Sequence, residues 1–168
     1  MLLLATALAL VNGCGGWHLR GVGSGADDHR YTYFLRASGA NEVFIALRQE
    51  IVNRGSYLTT KLASAQIVVD IERERFDRRI LSIDPNTGKV REIELGLSIM
   101  FSARSGDGKL LIPREEATFE QDYVFDEGSV LGTTEVDVIV RRDLAQLAAT
   151  SIALRLQATR LPETSAGG

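Results

Sequence analysis

Hydrophobic residues recur along this chain with two different periods, and the switches between them divide it into elements. Residues 2–11, LLLATALALV, form an unbroken apolar run that precedes Asn12. It is too short for the roughly 20 residues of a membrane-spanning helix and suits the apolar core of a signal peptide. A buried N-terminal helix would show a polar stripe, which this run lacks. The glycine-rich VGSGADDH at 22–29 predicts a loop or tether, and the aromatic-rich YTYFLRA at 31–37 predicts a strand. Phe44, Leu47 and Ile51 then fall at helical spacing, with Ala40 and Val43 beside them. With Asn41 as N-cap and Gly55 as stop, they predict a helix over 41–53.

From Ala65 the period becomes two. Ile67, Val69 and Ile71 alternate with Val68, Asp70 and Glu72, and the strand is expected to run to about Ile83 through the charged ERERFDRR. DPNTG at 84–88 has the composition of a hairpin turn. In the next strand Ile93, Leu95, Leu97, Ile99 and Phe101 alternate with Glu92, Glu94, Gly96, Ser98 and Met100, which predicts one buried and one polar face. After a second turn, SGDGK at 105–109, ATFEQDYVF at 117–125 places Phe119, Tyr123 and Phe125 on one face and Thr118, Glu120 and Asp122 on the other. Connections this short predict an antiparallel meander. Val136, Val140, Leu144, Leu147 and Leu154 then predict a helix over 135–158, opened by a capping box of Thr134 and Asp137 and about 36 Å long. Strand, helix, strands, helix is the order of an α+β two-layer sandwich, with helices packed on one sheet face.

Composition narrows the function more than the fold. The chain of 168 residues suits a single domain over 31–160 with a flexible tail at 161–168. Its net charge of −3 argues against a nucleic-acid partner. Two histidines, His18 and His29, and one cysteine, Cys14, leave no zinc-ligand spacing, so no metal or cofactor is expected. Cys14 lies between Gly13 and the pair Gly15 and Gly16, with only His18 near it as a base, which is a poor setting for a catalytic nucleophile. GVGSG at 21–25 lacks the strand-to-helix setting of a phosphate loop. The carboxylates Asp70, Glu72 and Glu74 alternate on one strand, as Glu92 and Glu94 do on another, and read as a solvated sheet face. No catalytic set can be assembled, and the expectation is a non-enzymatic protein.

The isolated thiol has a chemical explanation. LVNGC at 10–14 resembles the lipobox of bacterial lipoproteins, whose cysteine is acylated and becomes the mature N-terminus. Residues 1–13 then read as the lipoprotein leader and 14–30 as the lipidated N-terminus and tether. The leader has no basic n-region, which points to a true start upstream. At about 0.8 kcal/mol per buried methylene, several acyl chains on Cys14 anchor stably where one is marginal.

The lipobox cysteine with GWHLRG, the helix containing LRQEIVNRG, the long charged strand pair, LIPREEATFEQDYVFDEGSVLG and the closing TEVDVIVRRDLAQLAATSIALRL together resemble the LptE family of lipopolysaccharide-assembly lipoproteins over most of residues 10–160. The resemblance implies two helices on a mixed four-stranded sheet. It implies an outer-membrane lipoprotein on the periplasmic side, seated inside the LptD β-barrel as a plug, assisting its assembly and binding lipopolysaccharide. Gly15 after the cysteine fits sorting to the outer membrane. The chain departs from the family in its doubled glycine and in having no Lys or Arg in VLGTTE. The alternative is a periplasmic-facing lipoprotein that binds a small ligand or stabilises the envelope without a barrel partner. For lipid phosphates, Arg73, Arg75, Arg78, Arg79, Lys89 and Arg91 lie on two strands joined by the 84–88 turn and would form a patch when the strands pair. The other reading of these cations is cross-strand pairing with Asp70, Glu72, Glu74, Asp77, Glu92 and Glu94.

Overall fold

The structure, a computed structural model, describes residues 30–39, 42–125, 130–159 and 161. The leader, Cys14, the tether through residue 29, the Asn41 cap and the end of the tail lie outside the described residues, as does the side chain of Thr134. The elements are β1 Thr32–Ala37, α1 Glu42–Asn53, β2 Tyr57–Leu58, β3 Ile67–Ile83, β4 Val90–Ser105, β5 Leu110–Val124 and α2 Val130–Ala158. They form one mixed sheet in the order β2-β1-β3-β4-β5. β1 runs parallel to both β2 and β3, and β3, β4 and β5 are antiparallel. The parallel β1–β3 pair needs a crossover, which α1 supplies, while two tight turns suffice for the meander.

The α+β sandwich is as expected, with five strands in place of four. The extra strand, β2, is two residues long, held by Tyr57 N–H donating to Tyr31 C=O at 3.0 Å and Thr59 N–H to Tyr33 C=O at 2.9 Å. Two residues carry no period to detect. β5 begins at Leu110 instead of 117 and runs through Pro113, which reads as a strand breaker. Proline is tolerated there because β5 is the sheet edge, and the register with β4 is irregular between Phe101 and Ala103, beside the proline.

The core lies between the sheet and the two helices. From β3 come Ile67, Val69 and Ile71, from β4 Leu95, Leu97, Ile99 and Phe101, and from α1 Val43, Leu47 and Ile51. The buried stripe of α2 is Val140, Leu144, Ala148, Ile152 and Leu156, with Ala145, Ala149 and Ala153 alongside. Val140 and Leu144 are as expected, whereas Val136, Leu147 and Leu154 are exposed. The alanines account for the difference: they contribute little hydrophobic signal, but their small size lets α2 lie close against α1. Both helices bury rows four residues apart, the ridges along which helices interdigitate. At its C-terminus α1 closes as expected on Gly55, whose φ of 78° is left-handed. Gly55 N–H donates to Val52 C=O and Ser56 N–H to Ile51 C=O, the paired bonds of a Schellman motif.

Glu74 does not stay on the solvated face with Asp70. A register shift between Ile71 and Arg73 inverts the alternation, so Glu74 sits opposite Ile99 on the helix-bearing face. There its carboxylate caps α1 from outside the helix, accepting the Glu42 and Val43 N–H groups at 3.0 Å each. Burial pushes this carboxyl above its ordinary pKa, against the lowering effect of those two amides. Glu74→Ala is expected to destabilise the fold by about 1–2 kcal/mol, the usual cost of a lost N-cap, and amide exchange should accelerate selectively in the first turn of α1. Uniform exchange along α1 would contradict the capping role.

Candidate functional site

The sheet has one face under the helices and one without a covering element among the described residues, and the chemistry gathers on the open side. On β3, Arg73, Arg75 and Arg79 pair opposite Met100, Ser98 and Glu94, whereas Arg78 pairs opposite Leu95 on the helix-bearing side. On β5, Glu116, Glu120 and Asp122 pair opposite Met100, Gly96 and Glu94. The open face thus has a basic row on β3, a mixed row of Glu94, Gly96, Ser98 and Met100 on β4, and an acidic row on β5.

The six cations expected to form one patch are therefore divided. Arg75 binds Asp77 at 2.5 Å and Arg79 binds Glu94 at 2.8 Å, while Arg73 is exposed. Arg75 and Arg79 are held more firmly charged by these carboxylates, and the β5 acids Glu116, Glu120 and Asp122 add to the effect. Arg78 lies 5.2 Å from the ring centre of Phe125 on the other face. Arg91 is 3.7 Å from Asp84 in the turn, whose carboxylate also accepts the Asn86 and Thr87 amides and is held below its ordinary pKa by them. Lys89 closes that turn, its carbonyl accepting the Asp84 N–H at 2.7 Å. The described pairs are a mixture of same-strand, cross-strand and turn contacts, each with its arginine exposed to solvent and so worth little individually.

At the turn end of the hairpin Ile80, Leu81, Ile83 and Val124 are exposed, an apolar tip next to Arg79 and Arg91. Toward α2, Tyr123 O–H donates to Asp137 at 2.8 Å and Arg141 binds the same carboxylate at 3.1 Å. Burial would raise the Asp137 carboxyl, but these hydrogen bonds and the charges of Arg141 and Arg78 bring it below its ordinary value. Asp137, expected to complete a capping box, instead ties α2 to the edge strand.

The opposite end of the sheet holds a cluster that the sequence reading passed over. Asp70 is bound on both carboxylate oxygens, by Arg36 Nε at 2.5 Å and by Arg104 Nη2 at 2.8 Å. The three residues meet because β1 pairs in parallel with β3, placing Arg36 opposite Asp70, and Arg104 lies next in the register of β4. They line an open hollow of about 580 Å³ together with Ser38, Glu72 and Ser102. Each partner is 34 residues from Asp70; Arg104 arrives through the antiparallel hairpin and Arg36 through the parallel β1–β3 pairing, which no local pattern marks. Among the described residues no group of three His, Cys, Asp or Glu side chains is arranged to hold a metal ion, and no helix is long and apolar enough to cross a membrane.

The fold is shared with solved lipoproteins. The crystal structure of rare lipoprotein B from Shewanella oneidensis is 18% identical with a TM-score of 0.64, covering 76% of this chain and 94% of that one. The solution structure of an uncharacterized lipoprotein B from Nitrosomonas europaea is 19% identical with a TM-score of 0.69, covering 85% and 91%. A minor lipoprotein from Acinetobacter baumannii is 17% identical with a TM-score of 0.62, covering 79% and 98%. No curated protein matches the sequence. At these identities the likeness is one of fold. The model of the family described as LptE, lipopolysaccharide-assembly, matches residues 36–156, from Arg36 of the open-face cluster to the last buried leucine of α2. With most of its length so matched, this chain belongs to the LptE family of non-enzymatic lipopolysaccharide-assembly lipoproteins.

Proposed function

We propose that this protein is the lipid-anchored partner of an outer-membrane β-barrel of the LptD type. In this reading acylated Cys14 holds it on the periplasmic side of the outer membrane. The domain plugs the barrel, assists its assembly and binds the lipopolysaccharide that the barrel inserts. The family match over 36–156 carries the reading. The architecture supports it: the open face of β3, β4 and β5 is polar, with basic and acidic rows that suit the polar interior wall of a large barrel better than lipid. Lipopolysaccharide phosphates would meet the exposed cations of the hairpin, Arg73, Arg75 and Arg79 on the open face, Arg78 on the other face, and Lys89 and Arg91 at the turn.

The decisive experiment is affinity purification of the full chain from detergent-solubilised membranes. A large heat-modifiable barrel protein is expected to co-purify, and recovery of the chain without one would overturn the partnership. In the same preparation Cys14→Ala should leave an unacylated product that fractionates as soluble; acyl label persisting on that variant would reject the anchor.

A further inference from the structure

We infer that the hollow bounded by Arg36, Asp70 and Arg104 is a binding site for a phosphate-class dianion, separate from the cations of the hairpin turn. It lies roughly 45 Å along the strands from that turn. The hollow forms where β1 ends at Ala37 while β3 continues to Ile83, so the sheet narrows and leaves a step. On that step the Asp70 carboxylate is mostly buried, its side chain 14% exposed, while the Arg36 and Arg104 side chains remain 56% and 42% exposed.

The geometry explains why an anion would enter. Each guanidinium carries five N–H donors in a planar fork. Arg36 gives its Nε and Arg104 its Nη2 to Asp70, one oxygen each, so the carboxylate holds both forks in place without using either fully. Both arginines line the hollow, as do Ser38 and Ser102. Glu72 is the other carboxylate on the rim, and it is bound by Arg114 Nε at 2.6 Å. Two arginines against Asp70 leave one positive charge, with Glu72 and Arg114 cancelling. Convergent, pre-positioned arginines match the several acceptor oxygens of a phosphate monoester or diphosphate. An ion cluster serving stability alone would need only one arginine to neutralise Asp70. The volume of about 580 Å³ accommodates a phosphorylated sugar as well as the phosphate itself.

The test is calorimetric titration of the intact protein with inorganic pyrophosphate at low ionic strength. Arg36→Gln and Arg104→Gln are each expected to weaken binding about tenfold, and added salt should weaken it further. Arg36→Lys should lose part of the affinity, keeping the charge without the fork. Asp70→Asn is expected to tighten binding several-fold by removing the internal competitor, an effect no purely structural cluster would produce. Arg142→Gln, which removes an exposed cation of α2 away from the hollow, should leave pyrophosphate binding unchanged. Both arginine variants replace exposed side chains, and coincident thermal unfolding will show that they remain folded.

Vesicles of phosphatidylglycerol, compared with vesicles of phosphatidylcholine, distinguish the source of the phosphate. Displacement of the protein from anionic vesicles by pyrophosphate would identify a lipid headgroup as the ligand. Pyrophosphate binding without such displacement would identify a soluble phosphate; either result supports the site. Wild-type and Arg36→Gln, Arg104→Gln proteins that bind pyrophosphate equally, or not at all, would overturn it. The barrel partnership is read by a separate purification and stands or falls independently.

Discussion

Phe101→Ala is expected to destabilise the domain by about 3–5 kcal/mol and to lower its melting temperature by roughly 10 °C. Phe101 is the largest fully buried side chain among the described residues, placed on β4 between Ile71 of β3 and Glu115 of β5. The cost has three parts. The ring loses its burial, the space left is walled by two strands that cannot collapse without breaking their ladder, and Arg155 of α2 loses the ring it lies 5.8 Å above. Arg155 also binds Glu115, so the deletion loosens the tie between α2 and the edge strand. Phe101→Leu keeps most of the volume and should cost less than about 1.5 kcal/mol. Urea titration separates the two: the midpoint should fall with the slope unchanged, and equal midpoints for the two variants would show that the cavity is not what matters.

The alternation that places Phe101 inside was legible in the sequence because β4 is the central strand of the meander. With a neighbour on each side and helices over one face, positions along it alternate between fully buried and partly exposed, and Ile93 to Phe101 follow that alternation throughout. β3 begins the same way and then departs from it. Its bulge after Ile71 shifts the parity, and nothing in ERERFDRR marks where one residue drops out of register. That is why simple alternation puts Glu74 on the solvated face; the cations fall on two faces for a different reason, since Arg78 and Arg79 are consecutive on a strand and point to opposite sides. The alanine stripe of α2 was missed for a related reason. Periodicity detects large apolar side chains, and the residues that decide how near two helices approach are the small ones.

The hairpin cations were readable as a cluster because they are close in sequence. Arg36 with Asp70 and Arg104 was not, since Arg36 joins that pair only when β1 lies parallel to β3 through the α1 crossover. The short strand β2 belongs to the same class, being created by the neighbour it pairs with and not by any pattern of its own. Local order was therefore predictable from local sequence, while both the sheet edge and the anion hollow required the topology.

That dependence makes the turn at 105–109 a sensitive point, and Gly106→Ala should be the most disruptive single methyl added to the described chain. A Cβ at Gly106 would lie 2.2 Å from the carbonyl oxygen of Ala65, a backbone atom that cannot swing aside as a side chain could. Gly106 N–H also donates to Gln66 C=O at 2.8 Å, so the two segments are held together where the methyl would force them apart. The expected loss is about 3 kcal/mol, at the upper end of what overpacking costs. Gly108→Ala provides the comparison within one turn. Gly108 has a φ of 92°, with open space where its Cβ would go, so the substitution strains the backbone alone, by about 1–2 kcal/mol. The two glycines thus serve different needs, close approach at 106 and left-handed geometry at 108. The register Ile67 to Ser105 and Val68 to Arg104 begins immediately beyond this contact, and pushing Ala65 and Gln66 away from Gly106 would draw Arg104 out of line with Asp70. Gly106→Ala should consequently weaken pyrophosphate binding as well as lower the unfolding midpoint, whereas Gly108→Ala should lower the midpoint alone. Equal losses of stability from the two substitutions would show that the carbonyl of Ala65 yields to the methyl and that the approach is not tight in solution.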